Sequence, residues 1–255
     1  QTWIFSDTHM AEYKILLNGA NGRMGRKIAE CAPESGCEIV AECDIGCNPA
    51  DFISKADCAV DFSFRDATPA MARLCAETGT PLVIGTTGHT AEQRAEILGC
   101  AEKTAIVWAG NYSVGVNLLN YLVGVAAKVL PAAYDIEIVE MHHRFKKDAP
   151  SGTAEKLLEV ARNARGLSEG EVVYGRHGLV GERPEREIGV HALRGGSVVG
   201  DHTVIFAGDG ERLELVHKAA DRKIFALGAL RAAKWLAGKP AGLYGMEDVL
   251  GLRGL

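Results

Sequence analysis

The stretch Lys14-Ile-Leu-Leu-Asn-Gly-Ala-Asn-Gly-Arg-Met-Gly25 decides the fold of this chain. It begins as a short apolar run, which is typical of a buried strand, and passes through closely spaced glycines into a helical pattern containing Ile28, Ala29 and Ala32. A second strand, from Glu38 to Cys43, follows and ends at Asp44. This succession predicts a βαβ unit with a glycine turn.

The glycine turn has the chemistry of a dinucleotide site. Its spacing, Gly-x-x-Gly-x-x-Gly from Gly19, is a variant of the common fingerprint. Glycines let the backbone bend tightly and approach a pyrophosphate, which then lies at the helix N-terminus. Asp44 follows at roughly the twenty-residue distance expected of a carboxylate that binds ribose. We therefore predict dinucleotide binding; the alternative is a tight βα turn with no ligand.

The residues around Asp44 favour NADH as the dinucleotide. A carboxylate accepts hydrogen bonds from ribose hydroxyls and repels a 2′-phosphate. Ile45 follows Asp44 and adds no positive charge, although Arg23 in the glycine turn could offset part of the repulsion. We expect NADH to be preferred and NADPH to be tolerated.

Further β and α patterns alternate up to Ala109. A strand ends at Asp61-Phe-Ser63, and a buried strand from Pro81 ends at Gly85-Thr-Thr-Gly88. In doubly wound sheets, ligands bind beyond the carboxyl ends of the strands, so both segments are expected at the cofactor edge. Small and polar residues at strand ends are also ordinary turn formers, so neither segment is decisive alone.

A cationic loop lies between Asp135 and Thr153. Its first residues alternate as a half-buried strand, with Ile136 and Ile138 on one face, and a polar run follows in which two His, one Arg and two Lys fall within six residues. A helical pattern then begins after Asp148-Ala-Pro-Ser-Gly152. Helix N-termini attract anions, and His and Lys can transfer protons, so the loop predicts a site for a carboxylate or phosphate. The alternative is a solvated basic loop.

The remainder of the chain predicts a second, different sheet. Short strands separated by Gly-rich turns occur between Val172 and Val216, among them Ser197–Gly200, and indicate an antiparallel or mixed sheet. An open sheet of this kind favours oligomerisation, because one face needs cover. A mostly apolar and therefore buried helix is predicted from Val116 to Leu130, and a final helix from Lys223 to Leu236.

Composition sets broad limits on function and location. Apolar residues make up 47% and charged residues 24% of the 255-residue chain, as in soluble globular proteins, and the net charge of −5 argues against general nucleic-acid binding. No apolar run approaches the ~20 residues of a membrane span. All seven cysteines precede residue 101 and none forms a Cys-x-x-Cys pair, so we expect reduced buried thiols, no metal site and a cytoplasmic protein. Residues 1–9 are expected to be a cloning remnant ahead of Met10.

Five motifs in this order identify a resemblance to a known family. They are Gly-Ala-Asn-Gly-Arg-Met-Gly, Val-Asp-Phe-Ser, Gly-Thr-Thr-Gly, Asn-Tyr-Ser-Val-Gly-Val-Asn and Glu-Met-His-His-Arg-Phe-Lys-Lys-Asp-Ala-Pro-Ser-Gly-Thr. Together they resemble 4-hydroxy-tetrahydrodipicolinate reductases (dihydrodipicolinate reductases), from about Lys14 to the C-terminus. Arg176-His-Gly, Val199-Gly-Asp-His-Thr and Glu214-Leu-Val-His-Lys-Ala fit the family as well.

The resemblance implies an α/β architecture with a Rossmann-like doubly wound parallel sheet plus a smaller α+β domain with an open mixed sheet. The dinucleotide-binding domain would span 10–113 and be completed by 222–255; the substrate-binding and tetramerisation domain would span 114–221. The implied reaction is NAD(P)H-dependent reduction of 4-hydroxy-tetrahydrodipicolinate to tetrahydrodipicolinate in lysine (diaminopimelate) biosynthesis. The implied assembly is a homotetramer that binds a small dicarboxylate, with no nucleic-acid or membrane partner and no metal.

The resemblance also assigns roles to individual residues. His142 and Lys146 would be catalytic, and the substrate would be held by His143, Lys146, Gly152 and Thr153. The cofactor would be held by Gly19, Ala20, Asn21, Gly22, Arg23, Met24, Asp44, Gly85, Thr86, Thr87, Ala109, Gly110, Asn111 and Tyr112. Whether Lys146 or His142 donates the proton stays open. Because the two sets of motifs fall in different predicted domains, we expect the domains to close during the reaction.

Two other functions compete with the reductase. One is a dehydrogenase of the same fold that acts on a different dicarboxylate, since fold does not fix function. The other is a redox-sensing protein that binds the dinucleotide without turnover. A sensor of that kind needs an output surface such as a basic DNA-reading helix, and the sequence offers none.

Overall fold

The computed structural model describes residues 13–254, so the predicted cloning remnant lies outside the described residues. The chain forms two compact units. Unit 1 contains residues 13–112 and 225–254, and unit 2 contains residues 113–224.

Unit 1 is a parallel sheet covered by helices on both faces. Its strands lie in the order β2 (Cys37–Cys43), β1 (Tyr13–Asn18), β3 (Cys58–Asp61), β4 (Leu82–Ile84), β5 (Ala105–Trp108) and β11 (Gly242–Tyr244). Its helices are α1 (Arg23–Cys31), α2 (Thr68–Thr78), α3 (Ala91–Cys100), α6 (Lys223–Trp235, in unit 1 from Phe225) and α7 (Met246–Val249). The strand order reverses between β1 and β3, which is where doubly wound sheets bind ligands.

Alternation along the strands separates two apolar cores. Ile15 and Leu17 of β1 belong to a cluster that includes residues of α1 and α6, whereas Leu16 belongs to a cluster with residues of α2 and α3. Both faces of the sheet are therefore buried, which explains why its strands read as continuous apolar runs.

Unit 2 is a mixed sheet with helices on one face. The strands lie in the order β10 (Glu211–Ala219), β9 (Gly200–Gly208), β6 (Asp135–His142), β8 (Ile188–Arg194) and β7 (Val172–Tyr174). Strand β9 runs antiparallel to both of its neighbours, and β8 runs parallel to both of its neighbours. The helices α4 (Val114–Val129) and α5 (Gly152–Arg165) pack over the apolar side chains of β6 and β9. The predicted fold class is confirmed in both parts.

Some local predictions were wrong. Ser197–Val199 form no strand, because the turn at Gly195 and Gly196 extends to β9, which begins at Gly200. Helix α4 is not buried all round, since Leu118, Leu122, Val125 and Val129 are exposed along one side. The five other cysteines are buried thiols as expected, but Cys43 and Cys47 are joined as a disulfide.

Candidate functional site

The connection between β1 and α1 is compact because glycine occupies two close approaches, at Gly19 in the turn and at Gly25 in the first turn of α1. The amides of Gly19 and Ala20 both donate to the carbonyl of Cys43, at 2.8 and 3.1 Å. Gly19 has φ +83°, and a Cβ there would lie 2.4 Å from the carbonyl oxygen of Phe62. A Cβ on Gly25 would lie 2.2 Å from the carbonyl oxygen of Gly19. Glycine at both positions therefore lets α1 start directly against the strand, with its N-terminus at the sheet edge.

Asp44 follows the carboxyl end of β2, beside this turn. Its carboxylate accepts hydrogen bonds from the amides of Ile45 at 2.8 Å and Asn21 at 2.9 Å. These amides hold the pKa of Asp44 below its usual value, so the group is charged at neutral pH. The carboxylate is thus fixed in direction by backbone donors and keeps lone pairs for further hydroxyl donors.

A cavity of about 760 Å³ opens between the glycine turn, Asp44 and the loop after β3. This volume lies within the range of small-molecule and cofactor sites. The predicted residues Gly19, Asn21, Gly22 and Asp44 line it. Phe62 and Ser63, from the segment expected at the cofactor edge, line it as well. Sequence analysis did not assign the other lining residues, chiefly Pro49, Ala50, Phe64, Ala67 and Met71. The combination of glycine turn, helix start, fixed carboxylate and apolar wall fits a dinucleotide.

Buried Asp61 ties three strand ends together at the same edge. It accepts hydrogen bonds from Asn18 of β1 at 2.8 Å, Thr68 of α2 at 2.7 Å and Thr86 after β4 at 3.1 Å. Ser63 also donates to it, at 2.5 Å. The carboxylate therefore positions the two loops that carry the predicted Gly-Thr-Thr and Asp-Phe-Ser segments.

The other predicted cofactor residues occupy the sheet edge in different ways. Thr86, Thr87 and Gly110 line a second cavity, of about 370 Å³, together with His89 and Trp108. Gly85 packs against the Phe62 ring, Ala20 is buried, and the Tyr112 hydroxyl donates to the carbonyl of Ile84 at 2.7 Å. Arg23 and Met24 form the first turn of α1, whereas Ala109 and Asn111 follow β5.

The predicted substrate residues lie at one end of the unit 2 sheet. His142 was expected in the cationic loop, but it is the last residue of β6. Along β6 the side chains of Ile136, Ile138, Glu140 and His142 share the buried, helix-covered face. The loop then runs to Ser151, whose side chain caps α5 by accepting from the amide of Ala154 at 3.2 Å. Gly152 and Thr153 therefore lie in the first turn of the helix, the position at which backbone N–H groups commonly bind anions.

Lys146 is the loop's partly buried cation. Its ammonium lies 2.8 Å from a carboxylate oxygen of Asp148, and its side chain is 20% exposed. This hydrogen bond lowers the pKa of Asp148. The amide of Lys146 also donates to the carbonyl of His143 at 3.1 Å, so backbone and side chain both fix its place in the loop.

Glu140, Arg194 and His202 complete the site and were missed. Glu140 accepts from Nδ1 of His142 at 2.6 Å and from both terminal nitrogens of Arg194, at 2.8 and 2.9 Å. His202 is almost fully buried, stacks edge-on against His142 and lies 3.1 Å from the Ser151 hydroxyl. One of these residues could have been found from the sequence. The alternation of side chains along β6 places Glu140 on the same face as Ile136 and Ile138, and a buried carboxylate requires hydrogen-bond partners.

Burial is the main cause that lowers the pKa of His202 to about 4; the neighbouring His142, His217 and Lys146 act in the same direction whenever they carry a positive charge, and Glu140 opposes them. The folded state thus keeps His202 neutral, whereas the unfolded chain binds a proton near pH 6.5. Because the unfolded state binds more protons between these values, stability falls as the pH drops through this window. We expect unit 2 to lose about 2 kcal/mol of unfolding free energy between pH 7 and pH 5 from this group.

Urea unfolding followed by far-ultraviolet circular dichroism at both pH values measures this loss. Tryptophan fluorescence reports separately on unit 1, since Trp108 and Trp235 lie there and unit 2 contains no tryptophan. His202→Gln keeps a hydrogen-bonding group opposite Ser151 but does not titrate, so its stability should vary less with pH. An equal pH dependence in the variant and the parent would contradict this assignment.

Comparison with known proteins now identifies the family. Residues 13–112 match the model of the dihydrodipicolinate reductase N-terminus, and residues 115–250 match that of the dihydrodipicolinate reductase C-terminus. The chain belongs to the dihydrodipicolinate reductase family. The resemblance drawn from the five sequence motifs is therefore confirmed.

Individual relatives support the same membership over nearly the full chain. The 4-hydroxy-tetrahydrodipicolinate reductase of Akkermansia muciniphila is 53% identical over 240 residues, which cover 93% of this chain and 98% of the relative. The enzyme of the same name from an Anaeromyxobacter species is 48% identical over 262 residues, covering 94% and 98%.

A solved structure from the family has the same fold. The dipicolinate-bound dihydrodipicolinate reductase of Paenisporosarcina sp. TG-14 superposes with a TM-score of 0.78 at 25% sequence identity, covering 93% of this chain and 99% of that one. In this chain, none of the helices within residues 13–254 is long and apolar enough to cross a membrane.

Proposed function

We propose that the protein reduces 4-hydroxy-tetrahydrodipicolinate to tetrahydrodipicolinate with NAD(P)H, a step of lysine (diaminopimelate) biosynthesis. The observation that carries the proposal is the loop between β6 and α5. This loop carries His143 and Lys146 and connects His142, at the end of β6, to the start of α5; such a segment suits a dicarboxylate because charged donors and helix-end N–H groups both bind carboxylates. In this proposal His143, Lys146, Gly152 and Thr153 hold the substrate.

The cofactor would occupy the carboxyl edge of the unit 1 sheet. The turn from Gly19 to Met24 would hold the pyrophosphate and Asp44 the adenosine ribose. Gly85 to Thr87 and Ala109 to Tyr112 would hold the nicotinamide half. Bound NADH or NADPH would supply the hydride. The fixed Asp44 carboxylate supports a preference for NADH, because it would repel a 2′-phosphate.

The contacts of His142 favour Lys146 as the proton donor. Hydrogen bonds from Arg194 and His142 outweigh the effect of burial and lower the pKa of Glu140, so this carboxylate is ionised and can only accept. Nδ1 of His142 must then carry the hydrogen, and in the neutral imidazole Nε2 has none to give. The Lys146 ammonium carries three protons and would neutralise the charge left after hydride addition.

The test is NADH oxidation with substrate made in the cuvette by dihydrodipicolinate synthase from pyruvate and aspartate semialdehyde. Turnover that depends on the synthase supports the proposal. No turnover with NADH or NADPH, from folded protein that still binds NADH, would favour a different substrate or a cofactor-sensing role.

The same assay tests Asp44. We expect Asp44→Ser to shift the ratio of kcat/KM for NADH over NADPH about 10-fold toward NADPH, because one charged acceptor is lost and one repulsion removed. Asp51→Ser is the matched control, since Asp51 lies in the same connection but does not line the cavity. An unchanged ratio in Asp44→Ser would remove Asp44 from the cofactor site.

We further propose that the protein is a cytoplasmic homotetramer assembled through the outer face of the unit 2 sheet. Within residues 13–254 no helix covers this face, unlike the inner one, and its side chains include the half-exposed Leu193 and Val216. Covering such a face with a second copy removes apolar surface from water. Light scattering from the purified protein measures the mass, and a monomeric mass at micromolar concentration would exclude the assembly.

A further inference from the structure

Glu140 is a charged residue on the core face of β6, where apolar side chains are expected. It is fully buried, on the face of β6 that also carries Ile136 and Ile138. Moving a carboxylate out of water is costly unless its oxygens find donors. The residue therefore calls for an explanation beyond packing.

Four donors saturate its two oxygens. Oε1 accepts from Arg194 at 2.9 Å and from the amide of Ser151 at 3.0 Å. Oε2 accepts from Arg194 at 2.8 Å and from Nδ1 of His142 at 2.6 Å. With two hydrogen bonds on each oxygen, the carboxylate is satisfied within the protein, so a role in contacting the substrate is not indicated.

The donors come from the two ends of the substrate loop and from a neighbouring strand. His142 ends β6, where the loop begins, and Ser151 caps α5, where the loop ends. Arg194 ends β8 and also donates to the carbonyl of Asp148 at 2.7 Å, inside the loop. One carboxylate thus fixes both ends of the loop directly and its middle through Arg194.

We propose that Glu140 is the positioning residue of the site, which holds His142 in the Nδ1–H tautomer and fixes the start of α5 relative to it. This inference rests on the proposed function for its effect on turnover. The tautomer itself is a property of the protein alone. A carboxylate behind a histidine acts in this way elsewhere, where its amide replacement leaves the ring in the wrong tautomer.

The decisive variant is Glu140→Gln, which keeps the size of the side chain and removes the charge. With its amide nitrogen in the place of Oε2, the glutamine would donate to the Nδ1 lone pair of His142 and lose the contact with one Arg194 nitrogen, while its oxygen, in the place of Oε1, keeps the other; this would stabilise the Nε2–H tautomer. We expect kcat to fall at least about 10²-fold, dipicolinate affinity to fall about 10-fold and NADH affinity to stay within twofold. Long-range ¹H–¹⁵N spectra of histidine-labelled protein, assigned with His142→Gln, should show a hydrogen on Nδ1 in the parent and a shift toward Nε2 in the variant.

Glu137→Gln is the matched control. Glu137 lies on the same strand but on the opposite face, where it also pairs with two arginines and a histidine, Arg176, Arg183 and His191. Its loss should lower stability without changing kcat or the His142 spectrum. If Glu137→Gln lowers kcat as much as Glu140→Gln, the effect is general destabilisation and the inference is wrong.

The outcomes separate this inference from the proposed function. If the parent protein shows no turnover, the proposed reductase function is wrong, and the ¹H–¹⁵N spectra still report the tautomer of His142. A parent with turnover whose Glu140→Gln variant keeps both kcat and tautomer overturns only the positioning role. If Glu140→Gln does not fold, Arg194→Lys replaces it as the test. This variant leaves Glu140 charged but removes the contact between its carboxylate and the two terminal nitrogens of Arg194. It should weaken dipicolinate binding and retain the Nδ1–H tautomer; unchanged binding, or loss of that tautomer, would contradict the inference.

Discussion

Replacing Lys146 by methionine is expected to lower kcat by about 10²- to 10⁴-fold, the usual range for the loss of a positioned acid. Methionine keeps an unbranched four-atom stem like that of lysine but lacks the ammonium that pairs with Asp148. The NADH dissociation constant should not change, because the residues proposed to hold the cofactor lie in unit 1 and Lys146 lies in unit 2. Stopped-flow turnover and fluorescence titration with NADH measure the two quantities.

Lys147 provides the control for this experiment. It is the next residue in the same loop, and its side chain is exposed. Lys147→Met removes the same charge from the same loop and should change kcat by less than about threefold, since exposed charges interact weakly across water. Equal losses in the two variants would mean that the loop acts through its total charge, and full activity of Lys146→Met would remove that residue from catalysis.

A single methyl group at Gly25 is expected to reduce NADH affinity about 10-fold or more. The Cβ of alanine would lie 2.2 Å from the carbonyl oxygen of Gly19 and 2.7 Å from Cα of Ala20. Both are backbone atoms that cannot rotate aside, so α1 must move away from the turn. Overpacking of this kind costs about 1–3 kcal/mol, and about 1.4 kcal/mol corresponds to a tenfold change in affinity. Isothermal titration with NADH measures the effect, alongside urea unfolding.

Gly99, in α3, provides the control for this substitution, because a methyl group there is expected not to disturb the structure. Its Cβ would meet no atom within 4 Å, so Gly99→Ala adds a methyl group to a helix without a clash. NADH affinity should stay the same, and stability should stay equal or rise by up to about 1 kcal/mol. A Gly25→Ala protein that unfolds cooperatively and binds NADH within twofold of the parent would show that the turn does not hold the cofactor.

The sequence predicted the framework of unit 1 because its signals are local. Apolar runs, closely spaced glycines and the acid after β2 lie within about thirty residues of one another. The bounds predicted for β2 and α6 agree with the structure within one residue. The strand β11 and the helix α7 were not predicted, because three and four residues are too few for a periodic pattern. Their places depend on pairing with β5 and on packing, which one sequence does not reveal.

For the candidate site, the sequence indicated individual residues but not the side chains that surround them. His142 and Lys146 could be proposed because they fall together in a basic segment before a helix. Arg194 is separated by 54 residues from Glu140, and His202 by 51 residues from Ser151. They meet only through the alignment of β8 and β9 beside β6. The disulfide between Cys43 and Cys47 was also not foreseen, since the composition favoured reduced thiols throughout.

The return of the chain to unit 1 after residue 224 has a consequence for protein synthesis. All strands and helices that lie within unit 2 have been made once Ala219 has left the ribosome, so this unit can fold while translation continues. The earlier unit cannot, because Ala226, Ala229, Leu230 and Leu236 belong to its core and β5 has no β11 beside it until residue 244 emerges. Until the segment that carries α6, β11 and α7 has emerged, a newly made chain therefore has a finished second unit and an unfinished first one, whose exposed apolar strands are the part that a chaperone would protect.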